Sequence, residues 1–215
     1  MVLAQHLKDV QYANQYKAAK RKGDFIMLDN GAAEGEMVSI SWLKEMAELI
    51  DADEIVMPDA LRDSNKSIQL YAQHHSAFPS NKKVVIVHGT STDEMVACLR
   101  SYMTINPGFT TVGIPKYSYA FSTREEITKK VIQAAGHLYN IHWFGIYSNP
   151  FKEVIAAKQS GARSIDSGAA VAYAQHGIDI SSDIHAPLLW DVKYSESIAH
   201  ANILRLQECA YEGSV

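Results

Sequence analysis

The chain has little cysteine, no long apolar run and no strong charge imbalance, and each absence excludes a class of protein. Only two of its 215 residues are cysteines, so a disulfide framework is not expected and a zinc site made of cysteines alone is excluded. No apolar run approaches the roughly 20 residues of a membrane span, and no signal-peptide pattern opens the chain. We therefore expect a soluble cytoplasmic protein.

The charge balance is nearly even. A net charge of −4 and a pI near 6.1 exclude a generally basic nucleic-acid binder. A local basic surface remains possible, because phosphate binding depends on where the charges lie.

What the chain does have is a series of short runs rich in β-branched residues, several of which end in Asp, His or Gly. These runs span residues 25–31, 54–59, 84–89, 111–115, 142–147 and 163–168. A polar group at the carboxyl end of a buried parallel strand lies at the edge where α/β enzymes build their sites. We therefore expect these end residues to converge.

Stretches with helical periodicity separate the runs. They span residues 39–50, 64–77, 92–104, 123–138 and 150–160, with a final helix at about 194–211. Successive strand ends lie roughly thirty residues apart, which is the length of one strand and its crossover helix. Six β/α units are clear. The tail of the chain is less clear, and Gly177–Ile180 and Pro187–Trp190 could form two short closing strands there.

This rhythm predicts one domain, residues 1–215, with the fold of a (β/α)8 TIM-like barrel that is reduced or incompletely closed. An open doubly wound sheet is the alternative. It is disfavoured because no Gly-x-Gly-x-x-Gly or Walker-type loop follows a strand.

Three aspartates at strand ends are the strongest candidates for chemistry. Asp166 precedes small residues and suits a carboxylate nucleophile, although it could instead cap the following helix. Asp29 has a similar ambiguity, because Asp-Asn-Gly is also good turn chemistry. Asp59 follows a proline that ends the strand and fixes the direction of the next residue.

The strand-end motifs, in order, resemble those of the tRNA-guanine transglycosylase superfamily over roughly residues 25–180. The motifs are Leu28-Asp-Asn-Gly31, Val56-Met-Pro-Asp59, Val87-His-Gly89, Val112-Gly-Ile-Pro115, His142-Trp-Phe-Gly-Ile146, Ser164-Ile-Asp-Ser167 and Ala174-Gln-His-Gly177. Each motif is short, and the specificity lies in their order and spacing.

The resemblance implies a role for each matching residue. Asp166 is similar to the family's nucleophile and Asp29 to its general acid/base, whereas Asp59 would accept hydrogen bonds from the Watson-Crick edge of guanine. The implied base-binding residues also include Asn30, His88 with Gly89 in place of a usual Gln-Gly, the backbone of Gly113 and Ile114, and Phe144, which would stack on the purine.

Departures from the family's pattern redirect the expected substrate. Ala33 replaces a common aromatic residue, the cysteine-rich zinc site cannot be assembled, and we expect no appended RNA-binding domain. His185 and His200 are interpreted as surface or packing residues. The chain is therefore most like the short, zinc-free, phage-encoded relatives that exchange guanine in DNA for a free 7-deazaguanine. No metal or other cofactor is expected, and the compartment would be the host cytoplasm.

Nucleic-acid contacts are less specific in the sequence. Lys116, directly after the Gly-Ile-Pro motif, is the best candidate for a phosphate contact. Other basic residues could face the same edge of the sheet: Lys17, Arg21, Lys22, Arg62, Lys66 and Arg124.

Other functions stay open at this point. The chain could be a non-catalytic nucleic-acid-binding subunit, a transglycosylase directed at tRNA, or an unrelated barrel enzyme acting on small phosphorylated compounds. Retention of all three aspartates argues against the first. The final helix could pack on the barrel or on a second copy of the chain, and we expect the first. A protein partner or a homodimer stays open.

Overall fold

The computed structural model describes residues 1–35, 37–120, 122–146, 149–182, 186–189 and 192–212. His185 lies outside these ranges, and so does Trp190, the last residue of the predicted strand Pro187–Trp190. Within them the chain is a mixed α/β protein, as the sequence predicts. Its strands are β1 (Val2–Leu3), β2 (Met27–Asp29), β3 (Glu54–Val56), β4 (Lys83–Ile86), β5 (Thr111–Pro115), β6 (Asn140–Phe144) and β7 (Ser164–Ile165).

Helices follow the strands in regular alternation. They are α1 (Val10–Arg21), α2 (Ile40–Leu49), α3 (Ser64–His74), α4 (Thr92–Ile105), α5 (Arg124–Ala135), α6 (Pro150–Ser160), α7 (Ala169–Gln175) and α8 (Glu196–Glu212). In the described part of the chain no helix is long and apolar enough to span a bilayer.

The strand order of the sheet is the order of the chain. The chain forms two compact units: the first is Met1–Gly113 with Lys130–Asn140, and the second is Ile114–Lys129 with Ile141–Val215. In the first unit β1 to β5 pair in parallel, and in the second β6 pairs in parallel with β7. Each parallel neighbour is reached through a helix, so the predicted β/α repeat is present.

Caps explain where several predicted helices begin. The Ser39 hydroxyl accepts the Trp42 amide at 3.2 Å, and the Asn149 side chain accepts the Lys152 amide at 3.1 Å. Pro150 then occupies the first helical position, where it loses no hydrogen bond. The helix bounds agree with the sequence prediction to within a few residues, counting the short 3₁₀ turns that follow α3 and α5.

The chain's first β/α unit, β1 with α1, is missing from the sequence prediction. Asp9 caps α1 by accepting the Gln11 amide at 2.7 Å. Only Ala13 of that helix is buried, so the helix has too few core-facing apolar residues to show a helical periodicity in the sequence.

The predicted strand at Gly177–Ile180 is wrong. Its residues form a turn, and the Ile180 amide bonds the side-chain oxygen of Asn202 at 2.9 Å instead of a strand neighbour. The described residues 186–189 also contain no strand. Ile180 packs with Tyr173, Ala186 and Leu206 of α8. Within the second unit α8 therefore packs on α7 and on α6.

Candidate functional site

In the first unit, polar side chains gather where β2, β3 and β4 end. Strand register places Met27, Val56 and Val84 on one face. Since side chains alternate along a strand, Asp29 belongs to that same face, and His88 follows two residues after the end of β4. Both residues are buried.

Asp59 is the centre of this group. One carboxylate oxygen accepts the Asn30 side-chain amide at 2.8 Å, and the other contacts His88 Nε2 at 2.6 Å. Asn30 also donates to the Met57 carbonyl, which fixes its orientation. Asn30, Asp59 and His88 are hereafter the Asp59 cluster. In this cluster two donors hold the buried carboxylate of Asp59, which is 5% exposed.

The protonation of His88 follows from its other neighbour. The Arg62 amide donates to His88 Nδ1 at 3.3 Å, so Nδ1 accepts and Nε2 carries the proton that points to Asp59. Arg62 adopts a left-handed backbone with φ of 65°, an uncommon conformation for a side chain of this size. A strained loop therefore sets the His88 tautomer.

Asp29 takes part in a turn, the second of the two roles that its sequence allows. One of its oxygens accepts the Gly31 amide at 2.9 Å, and the Asn30 side-chain oxygen accepts the Ala32 amide at 2.7 Å. Gly31 has φ of 79°, which glycine adopts without strain. The turn holds the Asp29 carboxylate at the end of β2.

Gly89 allows α4 to begin close to the end of β4. A Cβ at this position would lie 2.7 Å from Glu94 Cβ, so a larger residue would displace the helix. The Gly113 carbonyl is used by the Val87 amide at 3.1 Å. In the second unit the Ile114 side chain is fully buried.

The second unit contains a separate group around Asp166. Its Oδ1 receives two contacts, from His142 Nε2 at 3.1 Å and from the Gly145 amide at 3.0 Å. No residue in the described ranges bonds to Oδ2, and the side chain is 21% exposed. His142, Ser164 and Asp166, with the Gly145 amide, are hereafter the Asp166 cluster.

The helix-cap alternative for Asp166 is wrong. The residue that precedes α7 at the cap position is Gly168, which makes no side-chain cap hydrogen bond. Ser167 accepts the Ala169 amide instead. Asp166 is therefore left available for another role.

Several interactions determine the ionisation of Asp166. Burial alone raises its pKa, but the hydrogen bond and the charge of His142, with the Gly145 amide, outweigh burial and leave the pKa below its ordinary value. The carboxylate is thus ionised and anchored through one oxygen.

His142 and Ser164 were not predicted as site residues. Strand register pairs His142 of β6 with Ser164 of β7, and the Ser164 hydroxyl lies 2.8 Å from His142 Nδ1. Asp166, two residues after Ser164, faces the same side. The Ser-x-Asp spacing was visible in the sequence, but the pairing with His142 needs the register.

Phe144 and Lys116 lie beside this group. The Phe144 ring is half-buried and meets the His142 ring edge to face, with centroids 4.5 Å apart. Lys116 is exposed, and its aliphatic stem covers Gly145, where a Cβ would lie 3.0 Å from Lys116 Cδ. Both residues are therefore neighbours of the Asp166 cluster.

Arg124 is not a phosphate-binding residue, which corrects the sequence interpretation. It is fully buried, pairs with Glu153 and lies over the Trp143 ring at 4.6 Å. Its guanidinium also donates to the carbonyls of Phe144 at 3.2 Å and Gly145 at 2.8 Å. Arg124 thus fixes the loop that carries the Gly145 amide.

The remaining basic candidates divide by strand edge. Lys20 pairs with Asp53, which directly precedes β3, so the end of α1 with Lys17, Arg21 and Lys22 lies at the amino edge. Because Asp59 lies at the opposite, carboxyl edge, these three residues are not placed for phosphate contacts beside it. Arg62 and Lys66 follow β3 and are exposed at the carboxyl edge.

A cleft of about 600 Å³ in the first unit lies elsewhere. Its lining includes Asp51, Ala52, Phe78 and Lys82, which precede β3 and β4 and so belong to the amino edge. Asp29 and Asp59 do not line it. We assign this cleft no part in the proposed chemistry.

The two cysteines are free, Cys98 buried in α4 and Cys209 partly buried in α8. His200 is exposed, as predicted. Across the described ranges, no group of three His, Cys, Asp or Glu side chains is placed to hold a metal ion.

Comparison of the chain with protein-family models and with curated proteins finds no match.

Proposed function

We propose that the protein is a guanine base-exchange transglycosylase that replaces guanine in DNA with a 7-deazaguanine through a covalent aspartyl-glycosyl intermediate. The observation that carries the proposal is the Asp166 carboxylate, which is anchored through Oδ1 while no described residue bonds Oδ2. Anchoring one oxygen fixes the direction of the other, as a carboxylate nucleophile requires.

In the first displacement, an Oδ2 electron pair of Asp166 forms a bond to the sugar C1′. The C1′–N9 bond breaks and its electrons leave with guanine, which takes a proton from the Asp29 carboxylic acid. The target nucleotide must first leave the base stack, which costs a few kcal/mol, because C1′ is out of reach inside a duplex.

In the second displacement, the incoming 7-deazaguanine gives its N9 proton to the Asp29 carboxylate. Its nitrogen then attacks C1′, and the C1′–Oδ2 electron pair returns to Asp166. Two inversions give net retention, as in retaining glycosidases. The two displacements, as proposed, need no metal ion or nucleotide cofactor.

Base recognition is assigned to the Asp59 cluster. Guanine presents two donors on its Watson-Crick edge, N1–H and the exocyclic amine, and an ionised carboxylate accepts both. Asn30 and His88 contact one Asp59 oxygen each, which fixes the direction in which the carboxylate faces the base. Gly89, Gly113, Ile114 and Phe144 keep the base-binding roles that the resemblance implies.

We also infer that the parallel, chain-ordered strands belong to a reduced (β/α)8 barrel. Exposed Arg62, Lys66 and Lys116 are the candidate contacts to DNA phosphates. The reaction would take place in the cytoplasm of a phage-infected cell.

The test is incorporation of labelled 7-deazaguanine into guanine-containing DNA, single-stranded and duplex, followed by detection of a protein–DNA adduct under denaturing conditions. We expect label in the polymer and an adduct with the wild type. Asp166→Ala should form neither, with at least about a 10³-fold loss of incorporation. Asp93→Asn, at an exposed carboxylate, is the matched control.

Each other outcome is informative. Label in tRNA but not in DNA would overturn the substrate and leave the chemistry standing. DNA binding without label or adduct would favour a non-catalytic binding subunit. An adduct that survives Asp166→Ala would refute the nucleophile.

A further inference from the structure

The two donors on Asp166 both contact the same oxygen. His142 Nε2 and the Gly145 amide lie 3.1 and 3.0 Å from Oδ1. An arrangement serving attack alone would leave the carboxylate charge less stabilised, since hydrogen bonds to an anion reduce its nucleophilicity. Orientation of the carboxylate alone therefore does not explain why both donors contact the same oxygen.

We propose that His142 is a positioning residue that makes Asp166 a better leaving group in the second displacement. This inference rests on the proposed function. In the glycosyl-enzyme, Oδ1 is an ester carbonyl oxygen. As the C1′–Oδ2 bond breaks, negative charge returns to both oxygens, and donors already aimed at Oδ1 stabilise that charge without reorganising.

Ser164 orients the His142 ring. Its hydroxyl is 2.8 Å from His142 Nδ1, and strand register fixes the pair at adjacent positions of β6 and β7. A neutral ring that accepts the hydroxyl hydrogen at Nδ1 and a charged ring that donates from Nδ1 both carry a proton on Nε2, directed at Asp166. The His142 side chain is 5% exposed, so bulk water does not replace these contacts.

The same interactions act in opposite directions on the two steps. Attack removes charge from Oδ1 and weakens the hydrogen bonds, whereas release restores charge and strengthens them. Loss of His142 should therefore leave attack as fast or faster and slow release. A structural role alone would slow both steps together.

The experiment measures formation and decay of the adduct separately, by rapid quench of the full chain with guanine-containing DNA and then with a chase of 7-deazaguanine. We expect adducts of His142→Phe to decay about tenfold more slowly than wild type, with formation not slowed. Ser164→Ala should change decay in the same direction by a smaller factor. His200→Phe, at an exposed histidine, should behave as wild type.

A second readout needs no substrate. The pKa of Asp166, followed by carboxyl NMR, should rise in His142→Phe, because a donor to the charged form is lost. This measurement also shows whether the variant folds, and Ser164→Ala carries the test if His142→Phe does not.

The failures are distinguishable. An adduct in the wild type whose decay is unchanged or faster in both His142→Phe and Ser164→Ala would overturn the leaving-group role and leave the proposed function intact. Absence of any adduct in the wild type would overturn the proposed function, and this inference with it.

Discussion

Both carboxylates at the centre of the two clusters contact a histidine, yet their surroundings differ. Asp59 is 5% exposed and has both oxygens engaged, whereas the Asp166 side chain is 21% exposed and has only Oδ1 engaged by described residues. A fully engaged carboxylate is suited to fixed recognition. A carboxylate with one oxygen not engaged is suited to bond formation.

The histidines differ in the same sense. Nδ1 of His88 receives a backbone amide, which can only donate, so that ring is fixed as the Nε2–H tautomer. Nδ1 of His142 faces the Ser164 hydroxyl, which can rotate to donate or to accept, so a side chain and not the backbone orients that ring. The same residue types therefore give a rigid site in one unit and an adaptable one in the other.

The largest effect on stability is expected at the support of the Asp166 cluster. Arg124→Met leaves Glu153 buried without its cation and frees the Phe144–Gly145 carbonyls, so we expect unfolding by urea to need about 3–5 kcal/mol less. Arg205→Met, which breaks the exposed pair with Asp179, is the control and should change the free energy of unfolding far less, because solvent screens that pair.

The same variant sharpens the contrast between the clusters. In folded Arg124→Met, the NMR signals of His142 should shift because the Gly145 loop is released, while those of His88 should not. Equal shifts at both histidines would show that the two clusters are not supported independently.

A smaller effect separates the two carboxylates themselves. Asp59→Asn places an amide opposite two donors in a buried site, so we expect a loss of about 1–3 kcal/mol in the free energy of unfolding. Asp166→Asn should cost less than about 1 kcal/mol, because that side chain is partly exposed and loses fewer contacts. An equal or reversed order would contradict the assignment of Asp59 as the rigid carboxylate.

Local periodicity accounts for the parts of the fold that the sequence predicts. The helices from α2 to α6 carry apolar stripes and caps within their own residues, so their bounds agree with the structure. β1 is two residues long, too short to show any alternation. The false strand at Gly177–Ile180 has strand-like composition, but its backbone is satisfied by Asn202, 22 residues away. No local sequence pattern indicates that Asn202 is the partner.

The candidate site shows the same limit. Asp29, Asp59 and His88 are visible because each ends a β-branched run. His142 begins its run, and it becomes a partner of Asp166 only through the register of β6 with β7. Arg124 resembles a surface cation in composition, yet it faces Trp143 and Glu153, which are 19 and 29 residues further along the chain.

The smallest effect is the pH dependence that Asp166 contributes to stability. Its pKa is below the ordinary value of 3.8 in the folded chain, so the unfolded chain binds the proton more readily as the pH falls. Its contribution is therefore fully present above the unfolded pKa and is lost as the pH falls through the folded one.

We expect the free energy of unfolding of the wild type to fall more steeply below about pH 4 than that of Asp166→Asn. Urea titrations at several pH values between about 5 and 2.5 measure this, and the difference between the two proteins removes the contributions of other acids such as Asp53. Parallel curves would mean that the donors on Oδ1 do not favour the ionised carboxylate, and Asp166 would lose the property that distinguishes it from an ordinary buried acid.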